Sequence, residues 1–128
     1  MKINVSFIII CNRDKKNSSI SFSENNFIPT FEFTLNDYPD IFNFSREKFK
    51  EISNLKAFDI DGSGWVQLQP CGSIVKDNIL HIVYGTLIPD SIQIKNCEWK
   101  SILDIMKNDS LNENITKQLL YCFNLILR

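Results

Sequence analysis

Residues 44–69 read FSREKFKEISNLKAFDIDGSGWVQLQ, and this stretch decides the fold. Ser45 is a good helix N-cap, because its side-chain oxygen can accept from an amide of the first turn. Phe44 before it and Phe49 one turn in have the spacing of a hydrophobic staple. Phe49, Ile52 and Leu55 or Lys56 then recur at helical spacing, while Glu47, Lys48, Lys50 and Glu51 fall elsewhere. The pattern predicts a helix ending near Ala57. Gly62 and Gly64 break the chain in an acidic turn. Trp65 to Gln69 resumes as a strand, and Pro70 is expected to stop it.

Working outward, residues 3–11, INVSFIIIC, alternate at first and then turn continuously apolar. That is the mark of a strand buried on both faces. Residues 20–22, ISF, are a candidate short strand. Phe31, Phe33 and Leu35 alternate with Glu32 and Thr34, which predicts a half-buried strand with Pro29 at its start. Downstream, Cys71 to Val75 continues the sheet after a bend. Lys76-Asp77-Asn78 reads as a hairpin-type turn, and Ile79 to Ile88 as a second strongly apolar strand. Ile92-Gln93-Ile94 alternates. Residues 98–107 carry Trp99, Ile102, Leu103, Ile105 and Met106, which predicts a short amphipathic helix. Residues 113–127 predict a terminal helix with Ile115, Leu119, Leu120, Phe123 and Ile126 on its buried side. The order is three strands, a helix, three strands and two helices. It implies an α/β (α+β) architecture, a mixed sheet with helices on its faces.

The chain has 128 residues, 44% of them hydrophobic and ten of them Phe, enough for a single domain, residues 1–128, with one core. Charged residues are 23% and the net charge is −1, so no basic surplus favours duplex nucleic acid. Cys11, Cys71, Cys97 and Cys122 form no CxxC pair and His81 is the one histidine, which disfavours structural zinc. Buried reduced thiols in a cytoplasmic protein are the simpler reading. The apolar run at Phe7 to Cys11 is too short for a signal peptide or a membrane span.

The element order and several residues resemble the Nudix fold. Phe27-Ile28-Pro29-Thr30-Phe31-Glu32-Phe33 looks like the strand before the Nudix box. Arg46-Glu47-Lys48-Phe49-Lys50-Glu51-Ile52-Ser53 looks like a remnant of its R-E-U-x-E-E-x-G core, where U is bulky and apolar. Gly85-Thr86-Leu87-Ile88-Pro89, followed by Glu98-Trp99-Lys100-Ser101-Ile102-Leu103-Asp104-Ile105, resembles the later strand and W-x-x-L-x-x-I segment. Two registers are open. One aligns Arg46 and Glu47 with the signature pair, but puts Lys48 on an apolar position and Lys50 in the acidic pair. The signature Gly then falls on Glu32 and the first Glu on Tyr38. The other slides by one residue, puts Phe49 and Leu55 on the apolar positions and keeps Glu51 alone. Packing favours the second, because a buried helix face is costly to violate.

The resemblance implies an α/β/α sandwich and a metal-dependent site in which clustered carboxylates hold magnesium or manganese against a diphosphate. Glu47 and Glu51, four residues apart on one helix face, are the candidate catalytic and metal-binding residues. Their plainer reading is a solvated charged face. Phe27, Glu32, Arg46, Tyr84 and Trp99 are the candidate ligand-binding residues. The incomplete box implies a degraded hydrolase site and a protein that binds a nucleotide derivative or a macromolecular partner. A divergent hydrolase, drawing further acids from Glu32, Asp59 or Asp61, is the alternative.

A second, shorter likeness lies at residues 59–66, DIDGSGWV, which resemble the first eight positions of an EF-hand loop. The likeness implies calcium ligands from Asp59, Asp61, Ser63 and the Trp65 carbonyl. Pro70 stands where the loop needs its bidentate Glu, and a helix-to-strand turn explains the same residues. His81, between Leu80 and Ile82, reads as a sheet histidine.

Overall fold

The computed structural model describes residues 2–14, 17–22, 28–34, 40–55, 66–89 and 91–101. In chain order these form β1 (Lys2–Asp14), β2 (Asn17–Phe22), β3 (Thr30–Glu32), α1 (Ile41–Ile52), β4 (Gln69–Lys76), β5 (Ile79–Ile88) and β6 (Glu98–Ser101). The class is α+β, with a mixed sheet of order β4-β5-β1-β2-β6 and β3 paired to β1. The predicted terminal helix at 113–127, the loop at 59–65 and Phe27 lie outside the described residues.

β1 is the centre of the sheet because its apolar run can be buried on both faces. Phe7, Ile8, Ile9, Ile10 and Cys11 are all 0% exposed. β5 runs parallel along one side, from Lys2↔Ile79 to Cys11↔Ile88. The other side is shared. β3 pairs antiparallel with its first half, Asn4↔Glu32 to Ser6↔Thr30, and β2 with its second half, Ile10↔Ile20 onward. Odd residues of β1 face α1, since Val5, Phe7, Ile9 and Cys11 share one core with Phe44 and Phe49.

The helix starts earlier than expected. Asp40, not Ser45, is the N-cap, and its Oδ1 accepts from the Asn43 amide at 2.7 Å. Beginning at Ile41 adds Ile41 and Phe44 to the stripe of Phe49 and Ile52, so a longer apolar face meets the sheet. Ser45 is buried one turn inside, its Oγ donating to the Ile41 carbonyl at 2.7 Å. Phe44 and Phe49 thus lie within the helix as core residues. The helix also ends earlier, at Ile52 and not near Ala57. Its exit is captured by the segment before β6. Ser53 bridges Ile94, the Lys95 amide donates to the Ile52 carbonyl at 2.7 Å, and the Gln93 amide donates to Asn54 Oδ1 at 3.2 Å.

Pro70 does not stop a strand. It lies inside β4, the end strand of the sheet order, where a missing N–H is tolerated. The register skips Cys71 between Pro70↔Tyr84 and Gly72↔Val83, so a bulge absorbs the irregularity. Asp77 and Asn78 have φ of 53° and 62°, the backbone of a two-residue primed hairpin turn between β4 and β5. Glu98–Ser101, expected as the start of a helix, is strand β6 and pairs antiparallel with β2, Phe22↔Glu98 to Ser19↔Ser101. The reason is tertiary. The apolar spacing of a four-residue stretch does not separate helix from strand, and β2 offers it a ladder. No helix among the described residues is long and apolar enough to cross a membrane.

Candidate functional site

Three elements meet at one end of α1 and leave a groove of about 360 Å³. β3 contributes Thr30 and Phe31, the last turn of α1 contributes Glu51, and the turn before β6 contributes Lys95, Asn96 and Cys97. Each wall has a local cause. β3 is held to β1, and Thr30 is fixed through its hydroxyl. That hydroxyl donates to the Ile28 carbonyl at 2.9 Å, so the Ser6 hydroxyl donates to it at 2.8 Å. Asn96 has φ 54°, a left-handed turn that Asn tolerates. The Cys97 thiol donates to the Ile94 carbonyl at 3.2 Å and closes that turn. Two of the last carbonyls of α1 are engaged within the protein. Ser53 Oγ donates to the Phe49 carbonyl at 2.8 Å, and the Lys95 amide to that of Ile52.

The charges are arranged around Lys48. Its Nζ is 3.3 Å from Glu51 Oε2, 5.8 Å from the centre of the Phe31 ring and 5.6 Å from that of Phe44. An ammonium over two ring faces and against a carboxylate is held by three attractions at once. Its side chain is 25% exposed against 55% for Glu51. Lys95 and Glu51 are both exposed and both line the groove.

Of the residues proposed from sequence, Glu51 lines this groove. Glu47 is exposed one turn earlier on the helix. Arg46 is half-buried and lies over the Phe42 ring at 5.7 Å. Glu32 is exposed, and because Phe31 and Phe33 pack toward α1 it faces the other side of the sheet. Tyr84 is 6% exposed within the core, its ring 6.3 Å from that of Phe7. Trp99 is half-buried on β6 and packs against the core. Phe27, Asp59, Asp61, Ser63 and Trp65 are not among the described residues. His81 is half-buried on β5 in register with Asn4.

Thr30, Phe31, Lys95, Asn96 and Cys97 were not singled out from sequence. The signal for Asn96 was its turn chemistry, but nothing local ties that turn to β3 and α1. The described donor set does not fit a divalent ion. Among the described residues no three His, Cys, Asp or Glu side chains converge. Glu51 has the Lys48 ammonium 3.3 Å from one of its oxygens, a charge that repels a cation there.

The arrangement of sheet and helix has close structural counterparts. A hydrolase of the NUDIX family from Clostridium perfringens superposes with a TM-score of 0.66 over 97% of each chain, at 15% identity. The fold is Nudix-like. The NUDIX domain of Shewanella oneidensis NrtR, solved with ADP ribose, shares this Nudix-like fold at TM-score 0.60 and 8% identity, over 91% of this chain and 84% of that one. The C-terminal domain of mouse MUTYH, solved in complex with human PCNA, matches at TM-score 0.63 and 9% identity, over 97% and 88%. No protein-family model matches the chain. No curated protein matches it either.

Proposed function

We propose that this chain is a Nudix-like domain with a degraded hydrolase site that works by binding a nucleotide derivative in the groove between β3, α1 and the turn at 95–97. The observation that carries the reading is the state of the helix beside the groove. It presents Glu47 and Glu51 with Lys48 and Lys50 between them, and Lys48 holds Glu51. A helix of that composition is a poor metal cradle, because each ammonium repels the cation the carboxylates would bind. The burial of Phe49 and Leu55, 0% and 7% exposed, supports the box register that keeps Glu51 alone. The ADP ribose complex of the similar NrtR domain supports a diphosphate-bearing ligand. The buried thiols of Cys11 and Cys71 support a reducing, cytoplasmic setting.

A thermal-shift series with nucleoside diphosphate derivatives tests the reading. A ligand at ~100 times its Kd adds about 2.7 kcal/mol, several degrees for a chain of this size. The expected result is a shift with at least one derivative and no hydrolysis product after prolonged incubation. Product formation that is lost in Glu51→Gln is the outcome that restores a divergent hydrolase. No shift with any derivative rejects the nucleotide reading. A macromolecular partner, as in the similar MUTYH domain, is then the reading to test.

A further inference from the structure

The Nudix-like fold implies a divalent ion beside this helix, and the described residues disagree with that implication. We propose that the Lys48 ammonium stands in for the divalent cation on Glu51, so that the groove takes an anionic, diphosphate-bearing ligand without metal and through Lys95. The inference deepens the binding function proposed above and rests on it.

Three observations converge. First, the Lys48 ammonium lies against one carboxylate and two aromatic rings. Its Nζ is 3.3 Å from Glu51 Oε2 and within 6 Å of two ring centres, at 5.8 Å from Phe31 and 5.6 Å from Phe44. Those rings belong to β3 and α1, so both elements hold it in place. A compact, strongly hydrated ammonium with three donors is a reasonable chemical substitute for a cation against one carboxylate oxygen. Second, among the described residues that line the groove Glu51 is the acidic one and this contact offsets its charge, while Lys95 lines the same space. The balance of these three side chains is one positive charge, which favours an anion directly. Third, two of the last carbonyls of α1, which would repel an anion, are already hydrogen-bonded. The Phe49 and Ile52 carbonyls accept from Ser53 Oγ and the Lys95 amide. Phe31 adds a half-buried aromatic ring to the wall, a surface for the flat part of a ligand.

The test has two readouts on the intact chain. Manganese binding is titrated directly by electron paramagnetic resonance on the wild type and on Lys48→Met. Methionine keeps an apolar stem over Phe31 and Phe44, and circular dichroism checks that the variant folds. The proposal expects Lys48→Met to bind manganese at least about tenfold more tightly, the scale of a unit charge facing a dication at contact distance in water. Equal affinity in the two proteins, or no binding in either, overturns the stand-in role of Lys48. Separately, calorimetry measures ADP ribose in EDTA and in magnesium. The expected constants agree within about threefold, Glu51→Gln binds more tightly because it frees the Lys48 charge, and Lys95→Gln weakens binding about tenfold. Binding that needs magnesium and vanishes in Glu51→Gln overturns metal-free recognition. If ADP ribose and the other derivatives fail in every buffer, the binding reading itself is rejected. The manganese titration still decides the role of Lys48.

Discussion

The Thr86 hydroxyl is buried on the α1 side of β5, in register with Ile9, and Oγ1 has no hydrogen-bond partner among the described residues. A buried hydroxyl that makes no bond costs about 1–3 kcal/mol relative to water. Thr86→Val has the same branching and nearly the same volume, so it is expected to raise stability by up to about 1 kcal/mol. Urea denaturation checks this as a higher midpoint at unchanged slope. At the same scale, Asp40 shows how a single side chain sets a boundary. Its carboxylate accepts from the Asn43 amide and the Asn43 side-chain amide, at 2.7 and 2.9 Å. Asp40→Ala is expected to cost about 1 kcal/mol, the usual loss of a cap. Ser45→Ala is expected to cost less, because Ser45 bonds the Ile41 carbonyl from inside the helix. Comparing the two midpoints locates the true N-cap by experiment. The sequence pointed to Ser45 and the structure has Asp40; Ser and Asp are equally good caps by type, so residue type does not separate them.

Among the elements, the β4–β5 hairpin was the most legible. The apolar run Ile79 to Ile88 has the same bounds as the strand, and of the expected turn Lys76-Asp77-Asn78 the structure keeps Asp77 and Asn78, with Lys76 closing β4. Both turn residues sit at positive φ, where a β-branched side chain crowds the backbone. Asn78→Val is expected to lose about 1–2 kcal/mol, whereas Asn78→Gly is expected to be neutral or slightly stabilising. Chevron or equilibrium unfolding of the pair decides it. β6 was the least legible element. Glu98–Ser101 has side chains that suit a helix face as well as a strand. Its ladder partner, β2, lies 76 residues earlier at the Phe22↔Glu98 pair, as 98 − 22 gives. Helix α1 was legible as a helix and illegible at both ends. Its start depends on which residues can meet the sheet. Its exit depends on hydrogen bonds from Gln93 and Lys95, some forty residues downstream.

For the whole molecule, the core is an aromatic junction between α1 and the sheet. Phe7 is 5.6 Å from Phe49 and 6.0 Å from Phe31, both edge to face, and Phe33 is 5.1 Å from Phe44. Such pairs add to the burial of each ring. Phe49→Ala is expected to cost about 3–5 kcal/mol, a large share of the stability of a small domain. Thermal unfolding checks it, and a loss below 1 kcal/mol contradicts the place of Phe49 at the junction. From composition and periodicity the chain could be read as a mixed sheet with a packed helix. Apolar runs, alternation and turn residues are local, and each reports how one segment meets a core. The interleaving of Lys48 and Lys50 with Glu47 and Glu51 was likewise visible, since it stands in the sequence itself. The tertiary structure alone decided that Lys48 lies over Phe31 and Phe44, that Lys95 and Glu51 face one groove, and that Glu32 turns away from them. Those relations join residues of β3, α1 and the turn at 95–97. They exist only because the sheet brings those segments together, and no spacing along the chain encodes that distance.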